Sequence, residues 1–86
     1  MNLNNKQRRT LEAIFERPTR ANIAWTDVEK LFIALGGEII NKGGSIINVL
    51  LDGQPRIFHR PHPQKEAKKY TIDAVRTYLT ILGYEP

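Results

Sequence analysis

The two histidines of this chain, His59 and His62, stand three residues apart in the run RIFHRPHPQKEAKKY, residues 56–70. Imidazole titrates near neutral pH, so either residue can take or give a proton during a reaction. Cleaving RNA without a metal needs one group to remove the 2′-OH proton and another to protonate the leaving oxygen, and imidazole suits both roles. The same run supports a second chemistry. Arg56, Arg60, Lys65, Lys68 and Lys69 can neutralise phosphates, and a helix N-terminus expected at Thr71 adds N–H groups and a positive dipole end. As metal ligands the histidines lack company, with no cysteine in the chain and Glu66 as the one nearby carboxylate, so no metal is expected. A purely structural role stands beside these: His59 closing a strand, His62 in a turn, the lysines solvated.

Pro61 and Pro63 stiffen the stretch and restrict Arg60 and His62 before them. Strand alternation sends His59 and Arg60 to opposite sides. Tyr70 borders the basic run, where it could stack a base or pack on the following helix. No cysteine nucleophile, G-x-S-x-G elbow or P-loop occurs elsewhere, and no cofactor is expected.

At 86 residues the chain holds one small domain with one modest core, unbraced by disulfides. It shows neither an apolar leader nor a run long enough to span a membrane, so a cytoplasmic protein without membrane association is expected. The net charge of +4 is unevenly placed. Residues 1–20 carry five Lys/Arg against two acids, residues 21–55 two against four, and residues 56–76 six against two. Two basic regions around an acidic middle point to a polyanion.

The elements that must position these groups follow from periodicity. Leu11, Ile14 and Phe15 mark a helix from Asn4 to Arg17, stopped by Pro18, with 18–24 a linker. Thr26 and Glu29 have the spacing of a capping box, with Trp25 just before it. Behind it Val28, Leu31, Phe32 and Leu35 form one stripe, ended by Gly36-Gly37. The period then becomes two. Strands are expected at 38–41, 45–51 and 56–59, joined by Lys42-Gly43-Gly44 and by Asp52-Gly53, a hairpin signal. A last helix is expected from Thr71, as N-cap, to Leu82, stopped by Gly83. A three-stranded antiparallel sheet needs cover, and the last two helices supply it on one face. The fold class is therefore α+β, an α-β-β-β-α two-layer sandwich with an extra N-terminal helix. Ile46, Asn48 and Leu50 fall on the other face, to be met by a partner or by the first helix.

With these residues located, the chain resembles the HicA toxin family. The resemblance covers Trp25 to Gly83: a helix ending in Gly-Gly, a Gly-Ser pair at Gly44-Ser45, the motif P-H-P-x-K-E at Pro61 to Glu66, and a last helix closed by Gly83. It implies a fold like the double-stranded-RNA-binding domain over residues 25–86, with 1–24 an N-terminal extension. It also implies a ribosome-independent ribonuclease that binds and cuts mRNA to arrest growth, without a metal since no metal site is visible, and a HicB antitoxin that masks it. In the family a catalytic histidine follows the Gly-Ser pair at once or one residue on; here Ile46 and Ile47 hold those positions. His62 matches the family motif, and His59, on the adjacent strand, is the candidate to take the missing role. The alternatives are a module that binds RNA without cutting it, and a domain that binds a protein partner through its open sheet face.

Overall fold

The computed structural model describes residues 2–86, ordered α1 (Asn5–Ile14), α2 (Trp25–Ala34), β1 (Glu38–Gly43), β2 (Ile46–Leu51), β3 (Gln54–His59) and α3 (Lys69–Ile81). The strands form one antiparallel sheet in the order β1-β2-β3. Side-chain alternation on β2 sends Ile47, Val49 and Leu51 inward, where all three are fully buried. Phe58 on β3 joins them, and the stripes of α2 (Val28, Leu31, Phe32) and α3 (Ile72, Val75, Leu79) close over that face. Trp25, Phe32, Phe58 and Tyr78 pack as one aromatic cluster, with ring centroids 5.8–6.5 Å apart. Burial of Tyr78 is compatible with its hydroxyl because that group donates to the Gln54 carbonyl at 2.6 Å. No helix among the described residues is long and apolar enough to cross a membrane.

Sequence expectation and structure agree on fold class, element order and the buried face of β2. Several boundaries differ for physical reasons. The β1–β2 turn is Gly44-Ser45, because β1 continues to Gly43 through a bulge that leaves Lys42 unpaired between Asn41 and Gly43. Strand β3 begins at Gln54, directly after Asp52-Gly53, whose positive φ values of 52° and 75° make the tightest hairpin turn. Helix α2 is not capped by Thr26 and Glu29. It starts at Trp25, whose N–H is taken by the Lys65 carbonyl at 2.9 Å, while the Glu29 side chain is engaged elsewhere. A capping box does occur, on α1, where Asn4 and Gln7 exchange side-chain and backbone bonds. Leaving α2, Gly36 takes φ +94°, and Gly37 lies so close to the Phe32 and Leu50 carbonyls that a Cβ there would meet them at 2.9 and 3.2 Å.

Helix α1 does not cover the open sheet face. It packs on α2 and α3, with Leu3, Leu11 and Ile14 in the same core cluster, and Ile40, Ile46 and Ile57 stay exposed on the sheet. Its fixing point is Arg76 of α3, a residue only 7% exposed. Arg76 Nε donates to the Ile14 carbonyl at 2.8 Å, Nη2 to Thr19 Oγ1 at 2.9 Å and Nη1 to Asp73 at 3.0 Å. Arg76 thereby satisfies the Ile14 carbonyl, whose partner four residues on would be Pro18, which has no N–H to give. The Thr19 hydroxyl, and after it Arg76, hold the Asp73 carboxyl below its ordinary value.

Arg76→Ala should therefore lower the unfolding free energy by about 2–3 kcal/mol, measured by urea denaturation. Since the Asp73 value is depressed on folding, its contribution is present above the unfolded value and fades as pH falls through the folded one. Asp73→Asn should remove that part of the acid-side loss, checked by melting temperature against pH.

Candidate functional site

His59 is the last residue of β3 and His62 lies in the loop that follows, and the fold brings both to one cleft. That cleft, about 180 Å³, is lined by Ser45, His59, Arg60, His62, Lys68 and Tyr70 together with Pro61, Ala67 and Thr71. Both imidazoles are exposed. The register pairs His59 with Ile46 across the sheet and Phe58 with Ile47. His59 therefore faces the open side beside Ile46, whereas Ile47 is sealed in the core. Opposite strands place such partners about 5 Å apart at Cα. A larger cleft, about 570 Å³, lies between Arg17–Thr19 and the outer face of α3 and contains no histidine.

The loop that presents His62 is tied at both ends. At its start the Arg60 N–H donates to the Ser45 carbonyl at 2.7 Å. The Arg60 side chain turns to the covered side of the sheet, opposite to His59 as alternation requires, and closes on Glu29 of α2: Nε to Oε2 at 2.7 Å and Nη2 to Oε1 at 3.1 Å. Its Nη1 donates to Asn41 Oδ1 at 2.7 Å. Glu29 also accepts from the Trp25 indole N–H, and its hydrogen bond raises the Arg60 value further. At its far end the loop lies against residues 23–25, where Trp25 N–H donates to the Lys65 carbonyl and Ala67 N–H to the Ile23 carbonyl, both at 2.9 Å. Buried Ala67 fixes that end in the core.

The sequence-derived cations fare differently. Lys68 lines the cleft, with its Nζ 5.8 Å from the centroid of the Tyr70 ring. Arg60 reaches the cleft too, but its guanidinium is spent on Glu29 and Asn41. Lys65 lines a neighbouring cleft with Trp25 and Gln64, and Lys69 is exposed on the first turn of α3. Arg56 points away, half-buried on the covered side over the Phe58 ring. Thr71 is not the N-cap. Lys68 caps α3 through its backbone, and Thr71, in the first turn, gives its N–H to the Lys68 carbonyl at 3.0 Å. The groups that precede the helical ladder are thus the N–H groups of Lys69 and Tyr70. Among the described residues no group of three or more His, Cys, Asp or Glu side chains could hold a metal ion.

Two contributors escape the sequence. Glu29 looks like a capping residue because its true partner lies 31 positions away, and no local pattern encodes that. Ser45 offers only a backbone carbonyl to the loop, a role open to any residue type.

An α-β-β-β-α domain with both flanking helices on one sheet face has the arrangement of the double-stranded-RNA-binding-domain class, here with one helix added before it. The model of a family described as the HicA toxin of bacterial toxin–antitoxin systems matches residues 25–83, and the chain belongs to that family. No curated protein and no solved structure matches the chain.

Glu29→Gln keeps an acceptor for the indole but removes the charge on which Arg60 closes. Because that pair is partly solvated, the expected loss of stability is about 1 kcal/mol. The sharper readout is amide hydrogen exchange, expected to quicken at residues 60–67 and to stay constant in α1; unaltered exchange in the loop would refute the tie.

Proposed function

We propose that this chain is the toxin of a toxin–antitoxin pair, that it binds mRNA in the cleft between His59 and His62, and that these imidazoles cleave it. The observation that supports this is the register of His59 with Ile46, one of the two positions at which the resemblance expects a histidine. Relocated to the facing strand, an imidazole at 59 occupies the same open side of the sheet. The reaction needs no outside reagent. One imidazole takes the 2′-OH proton as the 2′-oxygen bonds to phosphorus, and the other protonates the 5′-oxygen as its bond to phosphorus breaks. Lys68 lines the same cleft and can offset charge on the phosphate. A HicB-type antitoxin is the proposed neutralising partner, acting by covering this cleft.

A second reading, binding without cleavage, is favoured by one fact: isoleucines fill both positions after Gly44-Ser45. The two separate in one assay. The purified protein is expected to fragment mRNA in EDTA, since the proposed chemistry uses imidazoles alone. His59→Ala should lower cleavage a hundredfold or more and relieve growth arrest, with an unchanged circular dichroism spectrum. His62→Ala tests the other imidazole. RNA left uncut by the wild type, with binding that fades in salt, would leave the second reading standing.

A further inference from the structure

Of the seven aromatic residues, Trp25, Phe32, Phe58 and Tyr78 are buried and Phe15 and Tyr84 half-buried. Tyr70 alone is exposed, at 69%. Its place on the first turn of α3 lets it pack into the core no more than its neighbour Lys69 does, since the buried stripe of that helix begins at Ile72. Yet it is not an isolated surface ring. It lines the cleft that holds His59 and His62, and the Lys68 ammonium lies over it at 5.8 Å from the centroid. A π-face and a cation side by side are the two halves of a nucleotide site: stacking for the base, charge for the adjoining phosphate.

Resting on the RNA reading above, we infer that Tyr70 is a stacking platform for one unpaired base, and that the substrate is therefore single-stranded RNA. In an A-form duplex each base is already stacked on both faces, and the groove that carries the richer code is too narrow for a side chain. An exposed ring has nothing to hold there. The cleft itself, about 180 Å³, is smaller than the 300–1,000 Å³ typical of pockets that enclose a drug-sized ligand, and suits one splayed unit better than a double strand. Cleavage by a 2′-oxygen asks for the same thing. The attacking oxygen must come into line with the leaving 5′-oxygen, an alignment that a flexible single strand reaches and a regular duplex withholds. Stacking is indifferent to base identity, so preference among the four bases should be weak.

The test uses the full chain and a short fluorescein-labelled RNA bearing 2′-O-methyl groups, so that binding is read without cleavage, beside the same sequence annealed to its complement. Tyr70→Ala is expected to weaken single-strand binding roughly five- to a hundredfold, while Tyr70→Phe and Tyr70→Trp, which keep a ring, bind as the wild type does. The duplex should bind less well than the single strand and be indifferent to all three changes. Unchanged single-strand affinity in Tyr70→Ala would overturn the inference and leave the ring to a protein partner. So would Tyr70→Phe falling with Tyr70→Ala, or a duplex held as tightly as the single strand. Cleavage of the unmethylated strand, run in parallel, keeps the two ideas apart: a wild type that cuts beside a Tyr70→Ala that binds normally sinks the platform alone. A wild type that neither binds nor cuts sinks both.

Discussion

The carboxylate of Glu29 gathers what the rest of the candidate site depends on. It accepts from the Trp25 indole and from two nitrogens of Arg60, and so joins the start of α2, the aromatic cluster and the exit of β3 at one point. A two-pronged carboxylate–guanidinium contact fixes orientation as well as distance. Through it the direction of the chain after β3 is set before Pro61 and Pro63 stiffen it further. The backbone pairs from 23–25 to 65–67 then close the loop from the other end. A segment held in this way loses little freedom when a ligand arrives, and that is how the nine residues between β3 and α3 can keep side chains in fixed relation to a strand.

That arrangement also explains which parts of the molecule were legible in its sequence. Local patterns were sound guides wherever a local force decides. Asp52-Gly53 turned the hairpin because both residues must take positive φ, and Ile47, Val49 and Leu51 went inward together because a strand alternates. The charge of Arg60 was equally plain, but charge does not say who uses it. Glu29 and Arg60 are distant in sequence, and only the tertiary fold could convert a presumed phosphate contact and a presumed helix cap into one ion pair. Helix starts failed for a related reason. Trp25 and Lys69 begin their helices with no side-chain cap, and in the first case the missing acceptor is a carbonyl of the very loop whose path the sequence left open.

The two isoleucines that follow Gly44-Ser45 have different surroundings in three dimensions. Ile47 belongs to the core and faces Phe58, whereas Ile46 belongs to the open side and faces His59. An ionisable ring at 47 would have to be buried with a partner; at 46 or 59 it stays in water. Two positions that look equivalent in the sequence differ in what they allow, and the pairing of strands decides between them. The same open side carries Asn48, whose Oδ1 is shielded from solvent and without a hydrogen-bond partner.

A three-stranded sheet ends in two raw edges, each a row of backbone groups that another strand could join. In this chain neither edge is a clean template. The outer rim of β1 is broken by the bulge at Lys42, with a charged side chain at the break, and β3 carries Pro55, which has no N–H to give. An incoming strand would meet a misaligned ladder on one side and a missing rung on the other. The chain thus resists growing into a stacked fibre of its own copies, a safeguard that matters for a small protein with isoleucines left uncovered on its sheet.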